Sequence, residues 1–160
     1  MATETDPRAA TALRARHTVH LDAVLREHRT EVARWALAQG RPLNLDAITV
    51  ILAVRQFEAE TDRAPFTRWT TRGMVGFLWG SATTWCETIG VDLPPSLNES
   101  LWTYLSYLHA AHELASGSAP LNQLREVLVE SGGLNRSGRA RQARGTGQLA
   151  TTRRLEHRRP

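Results

Sequence analysis

The chain has 160 residues, 41% hydrophobic and 22% charged, which suits one globular domain and excludes a compositionally disordered protein. One cysteine, Cys86, excludes an intramolecular disulfide framework, and no run approaches the ~18 apolar residues of a membrane span. All 20 basic residues are arginine, as a GC-rich bacterial genome would write them, so arginine richness alone is weak support for guanidinium chemistry.

The opening "MATETDPRAA" has no apolar stretch of the kind a secretory signal needs, and a cytoplasmic protein is expected. Residues 1–7 read as a flexible N-terminus. From Arg8 to Gln39, Leu13, His17, Leu21, Val24, His28, Val32 and Trp35 recur at steps of three and four, which predicts one long amphipathic helix ended by Gly40 and Pro42. "AITVILAV" is β-branched enough for a buried strand. A helix from an Asn44 N-cap through Phe57 is preferred, because the apolar pattern lasts some four turns.

"TTRGMVGFLWGSATTWCETIG" gives the clearest helical stripe, Val75, Leu78, Ala82, Trp85 and Ile89, with Thr70 or Thr71 as cap and Gly90 as the left-handed stop. After the "DLPPS" turn, Ser96 and Glu99 form an S-x-x-E capping box before a helix that buries Leu97, Leu101, Tyr104, Leu105, Leu108 and Ala111. A last helix begins at Pro120, presents Leu121, Leu124, Val127 and Leu128, and stops at Gly132–Gly133.

From Asn135 on, Trp, Phe, Tyr, Ile and Val are all missing. Such a segment cannot bury enough surface to offset its ordering entropy. The expectation is therefore an all-α fold: a single compact bundle of about five helices over 8–133, with a disordered Arg-rich tail over 134–160. Within 136–160, Arg136, Arg139, Arg141, Arg144, Arg153, Arg154, Arg158 and Arg159 face only Glu156, a net +7, whereas residues 1–135 carry 12 arginines against 15 acids, a net −3. A cationic arm on a mildly acidic body points to a polyanion.

Trp69 lies between Arg68 and Arg72 in "FTRWTTRG", where an aromatic beside two arginines suits stacking on a base; the plainer alternative is a packing staple at the start of its helix. His109 and His112 share a helix face at i, i+3. The motif is neither H-E-x-x-H nor H-x-x-E-H, and the sequence predicts no metal or other cofactor. His17 and His28 interrupt an apolar stripe, either as interior residues or beneath another subunit. Cys86 has no basic neighbour within a turn and reads as core filler.

The "VDLPPS" turn is too long for a helix-turn-helix, and the helix after it carries no Arg. No convergent acid, base and nucleophile stands out, so the chain reads as non-enzymatic. Two functions remain: a small regulatory or accessory protein whose tail, with Arg68, Trp69 and Arg72, contacts DNA or RNA non-specifically; or a protein–protein adaptor or homodimer that uses the first helix.

Overall fold

A computed structural model of the chain describes residues 20–132 and 134. They form helices α1 (Ala23–Ala38), α2 (Leu45–Asp62), α3 (Thr71–Gly76), a π-helical turn (Phe77–Ser81), α4 (Ala82–Ile89), α5 (Leu97–Ala110) and α6 (Leu121–Glu130). The described residues contain no strand, and none of their helices is long and apolar enough to cross a membrane. Since α3, the π turn and α4 follow one another without a break, the described residues form a bundle of five helical rods.

The helix expected over 8–39 is not continuous through 20–22, and its part before residue 20 lies outside the described residues. Residues 20–22 are not helical: Asp22 is extended (φ −64°, ψ 170°), and its Oδ1 accepts the Leu25 N–H at 2.8 Å, capping α1. The buried face runs through Leu21, Leu25, His28, Val32 and Ala36. It is thus rotated from the expected stripe, and Val24, expected inside, is 68% exposed. At the other end Gly40 (φ +62°) turns the chain so that the Arg41 N–H reaches the Ala36 carbonyl at 2.8 Å.

The β-branched run is helical and central. Every residue from Ala47 to Arg55 is buried, which is why no clean stripe is legible there. Asn44 caps α2 as its sequence predicts, its Oδ1 accepting from the Asp46 and Ala47 N–H groups. Helix α2 packs against α1, α4 and α5, and runs past Phe57 to Asp62 before Arg63 turns left-handed (φ +52°). The Asn44 N–H donates to Ser100 Oγ and Thr103 Oγ1 donates to the Pro42 carbonyl, so α5 fixes the α1–α2 turn at two points.

The π turn changes the register of the third rod. Ala82 N–H bonds to the Phe77 carbonyl, five residues back, so the buried face passes from Met74 and Phe77 to Ala82 and Cys86. Of the expected stripe only Ala82 is fully buried; Val75 is exposed, and Leu78, Trp85 and Ile89 are half-buried. Thr70 caps the rod through the Gly73 N–H, and Gly90 (φ +71°) closes it.

The Ser96 hydroxyl does not make its half of the expected capping box. Its backbone (φ −99°, ψ 19°) is not extended, and its Oγ makes no cap hydrogen bond. Helix α5 also ends early: His112 is left-handed (φ +57°), the Glu113 N–H returns to the Leu108 carbonyl at 2.8 Å, and Ala111 is exposed. Helix α6 buries Leu124 and Leu128 against α3 and α5. Leu134, placed in the tail by composition, is fully buried, so packing reaches at least one residue further than expected.

Candidate functional site

The segment joining α2 to α3 carries the body's share of the predicted arginine–aromatic site. It is held from beneath by Arg55, a buried arginine on the last part of α2. Arg55 donates through Nε to the Phe66 carbonyl at 3.3 Å and through Nη2 to the Arg68 carbonyl at 2.6 Å. Its Nη1 pairs with Glu58, one turn on, at 2.5 Å. The other Glu58 oxygen accepts from Ser81 Oγ at 2.6 Å, tying the ion pair to the π turn. A buried guanidinium is tolerable only when its charge and donors are matched, and here a carboxylate and two carbonyls match them.

Trp69 lies under this arginine. Its ring centroid is 4.6 Å from the Arg55 guanidinium carbon and 5.5 Å from the Phe77 ring, edge to face. Its backbone is paired on both sides, the N–H to Ser118 Oγ and the carbonyl to the Ala119 N–H. With 1% of its surface exposed, Trp69 cannot stack on a base. The stacking expectation is corrected, because the ring is committed to the core. Its Nε1–H, however, is buried without an acceptor among the described residues.

Arg68 and Arg72 are both exposed, as is Arg63. The Arg68 guanidinium rests against Gly117 (φ +84°), where an added Cβ would lie 3.3 Å from Nε. Between α2 and α3 a cleft of about 230 Å³ is lined by Arg55, Asp62, Ala64, Arg68, Trp69, Thr70 and Gly73. The tail arginines Arg136, Arg139, Arg141, Arg144, Arg153, Arg154, Arg158 and Arg159 lie outside the described residues.

A second polar cluster, between α1 and α5, has no single sequence motif behind it. His28 Nε2 lies 3.1 Å from the Tyr104 hydroxyl, and Nδ1 lies 3.6 Å from Glu113 Oε2. The Tyr107 hydroxyl lies within 3.4 Å of Glu31 and 3.3 Å of Glu113. Phe66, Tyr104 and Tyr107 surround the imidazole edge-on. Burial pushes the His28 pKa below its ordinary value, against the opposing pull of the Glu113 and Glu31 carboxylates. Burial likewise raises both tyrosines, most strongly Tyr104. His28 on the apolar stripe is the only trace of this cluster in the sequence, since its partners come from distant segments.

His109 lies in the last turn of α5 and His112 lies beyond it in left-handed backbone, so the two do not share a helix face. No group of three or more metal-binding side chains occurs among the described residues. Cys86 is buried, and burial with the nearby Asp92 raises its thiol pKa, which keeps it protonated. Compared with known families, with curated proteins and with solved structures, the chain has no match.

Proposed function

We propose that this is a small, non-enzymatic regulatory or accessory protein that holds nucleic acid non-specifically through its C-terminal arginines. The observation that carries this reading is the charge division, a net +7 over residues 136–160 against −3 over the rest. Arg68 and Arg72, exposed on the body, supply further phosphate contacts, and Trp69 leaves the stacking role. Phosphate contacts carry no sequence information, so binding is indifferent to sequence and sensitive to salt. If four to six arginines engage phosphates, log affinity falls with log salt at a slope of about −4 to −5. Deleting 136–160 should abolish that binding without lowering the melting temperature; unchanged binding refutes the reading.

A second reading, as a protein–protein adaptor or homodimer, is favoured by apolar side chains left in water. Helix α1 exposes Val24 and Leu37, the latter 84% exposed, and Trp79 on the π turn is 73% exposed. Light scattering separates the two: a strict monomer that retains no partner on purification counts against the adaptor.

A further inference from the structure

Helix α2 outlasts the helix beside it. Arg29 Nη1 donates to Thr49 Oγ1 at 2.9 Å and Gln56 Nε2 donates to Asp22 at 3.3 Å, so α1 and α2 run antiparallel with Gln56 level with the start of α1. From Phe57 to Asp62, α2 continues for roughly one and a half turns past that point. A groove of about 330 Å³ opens at this step. Val24, Leu25, Ala59 and Phe66 give it an apolar lining, and Asp22 and Glu60 line it as well. Val24 is left 68% exposed there.

The end of α2 is short of positive charge. Glu60 and Asp62 are exposed beside the negative end of their own helix dipole, and the last turn holds no basic side chain. Arg63, the C-cap, offsets only part of this. The chain that leads into the groove has the matching composition. Residues 8–19 carry Arg8, Arg14 and Arg16 and no acid, and Leu13 is the one large apolar side chain between 8 and 18. They join the described fold at residue 20, beside Asp22. Because Asp22 is extended and caps α1 through the Leu25 N–H, the chain before it is free of the α1 axis.

We propose that this groove is the docking site of residues 8–19 of the same chain, with Leu13 against Val24 and Phe66 and with Arg8, Arg14 and Arg16 toward Glu60 and Asp62. Leu13 precedes Asp22 by nine residues, about 14 Å as helix and about 30 Å extended, so the tether spans the groove in either form. A short tether gives an effective concentration on the order of millimolar, so a contact too weak to hold a separate peptide holds this one. A second copy docked through the same groove would set like carboxylates against each other across a two-fold contact. The tail is as cationic, but it follows α6, which packs on α3 and α5. The inference rests on neither functional reading, and it covers Val24, one of the side chains that favour the adaptor.

The test is nuclear Overhauser spectroscopy on the full chain. The Leu13 methyls should show cross-peaks to the Val24 methyls or the Phe66 ring. A sample mixed from labelled and unlabelled chains separates docking within one chain from docking on another copy. Cross-peaks between chains give the groove to a second copy and overturn the proposal. Leu13→Asp should remove the cross-peaks and shift the Val24, Leu25 and Phe66 resonances, while Leu124 and Leu128 in the buried face of α6 stay in place. Glu60→Arg, at an exposed position, should weaken docking roughly fivefold, the worth of a surface ion pair, read as movement of the Val24 shift toward its Leu13→Asp value. Absence of any cross-peak from Leu13 to the groove, groove resonances unmoved in Leu13→Asp, or undiminished docking in Glu60→Arg each overturns the proposal.

Discussion

Replacing Arg55 by Met tests whether the α2–α3 segment is held as described. Methionine fills much of the aliphatic volume but leaves three losses. Glu58, whose side chain is only 21% exposed, loses its counter-charge; the Phe66 and Arg68 carbonyls lose their donor; and the Trp69 ring loses its cation. Breaking one side of a buried pair costs about 3–5 kcal/mol, because the partner charge stays behind. That is a large share of a domain stability of about 5–15 kcal/mol. With an m-value near ~1.5 kcal/mol/M in urea, the midpoint should fall by about 2–3 M. Adding Glu58→Gln removes the stranded charge and keeps an acceptor for Ser81 Oγ, so the double variant should regain about 1–3 kcal/mol over Arg55→Met alone. A single variant that costs less than about 1 kcal/mol, or a double variant no more stable than the single, refutes this account.

The His28 shift makes stability depend on pH in a known direction. Its folded pKa is lowered from 6.5, so as pH falls through that value the unfolded chain takes up a proton that the folded one refuses. The stability from a neutral His28 is complete above that value and is lost on acidification, at most about 1.4 kcal/mol per pH unit; the fall in urea midpoint from about pH 7 to pH 5.5 should be shallower in His28→Gln. Asn44→Ala should cost about 1 kcal/mol by removing a formed cap, whereas Ser96→Ala, where no cap bond forms, should stay within about 0.5 kcal/mol by thermal unfolding. Leu105→Ala, at a fully buried position on α5, should cost about 2–5 kcal/mol in the same assay.

Features set by a few neighbouring residues were legible from the sequence. Asn44, Thr70, Gly40, Gly90 and Pro120 lie at or beside the helix ends their chemistry suggests, because capping and left-handed turns depend on local backbone alone. Two errors share one cause, the assumption of an unbroken 3.6-residue period. Asp22 interrupts a continuous apolar pattern to cap α1, and the π turn slips the third rod by one residue, so that Met74, Phe77 and Cys86 replace the expected inward positions. The Ser96 hydroxyl does not cap because a motif specifies side chains but not the ψ angle that lets a hydroxyl reach its amide. The His28 cluster was out of reach: His28 and Tyr104 stand 76 residues apart, and only the packing of α1 on α5 brings them together.

The body's candidate site shows how such a reading is both right and wrong. In "RWTTR" the residues beside the aromatic are polar, and the backbone at Thr70 is extended (φ −102°, ψ 158°). Along extended chain, successive side chains alternate between faces. Arg68 therefore turns to solvent, Trp69 turns into the core beneath Arg55, and Arg72 on the first turn of α3 faces out again. The same alternation that keeps the arginines available for phosphate removes the ring from any base.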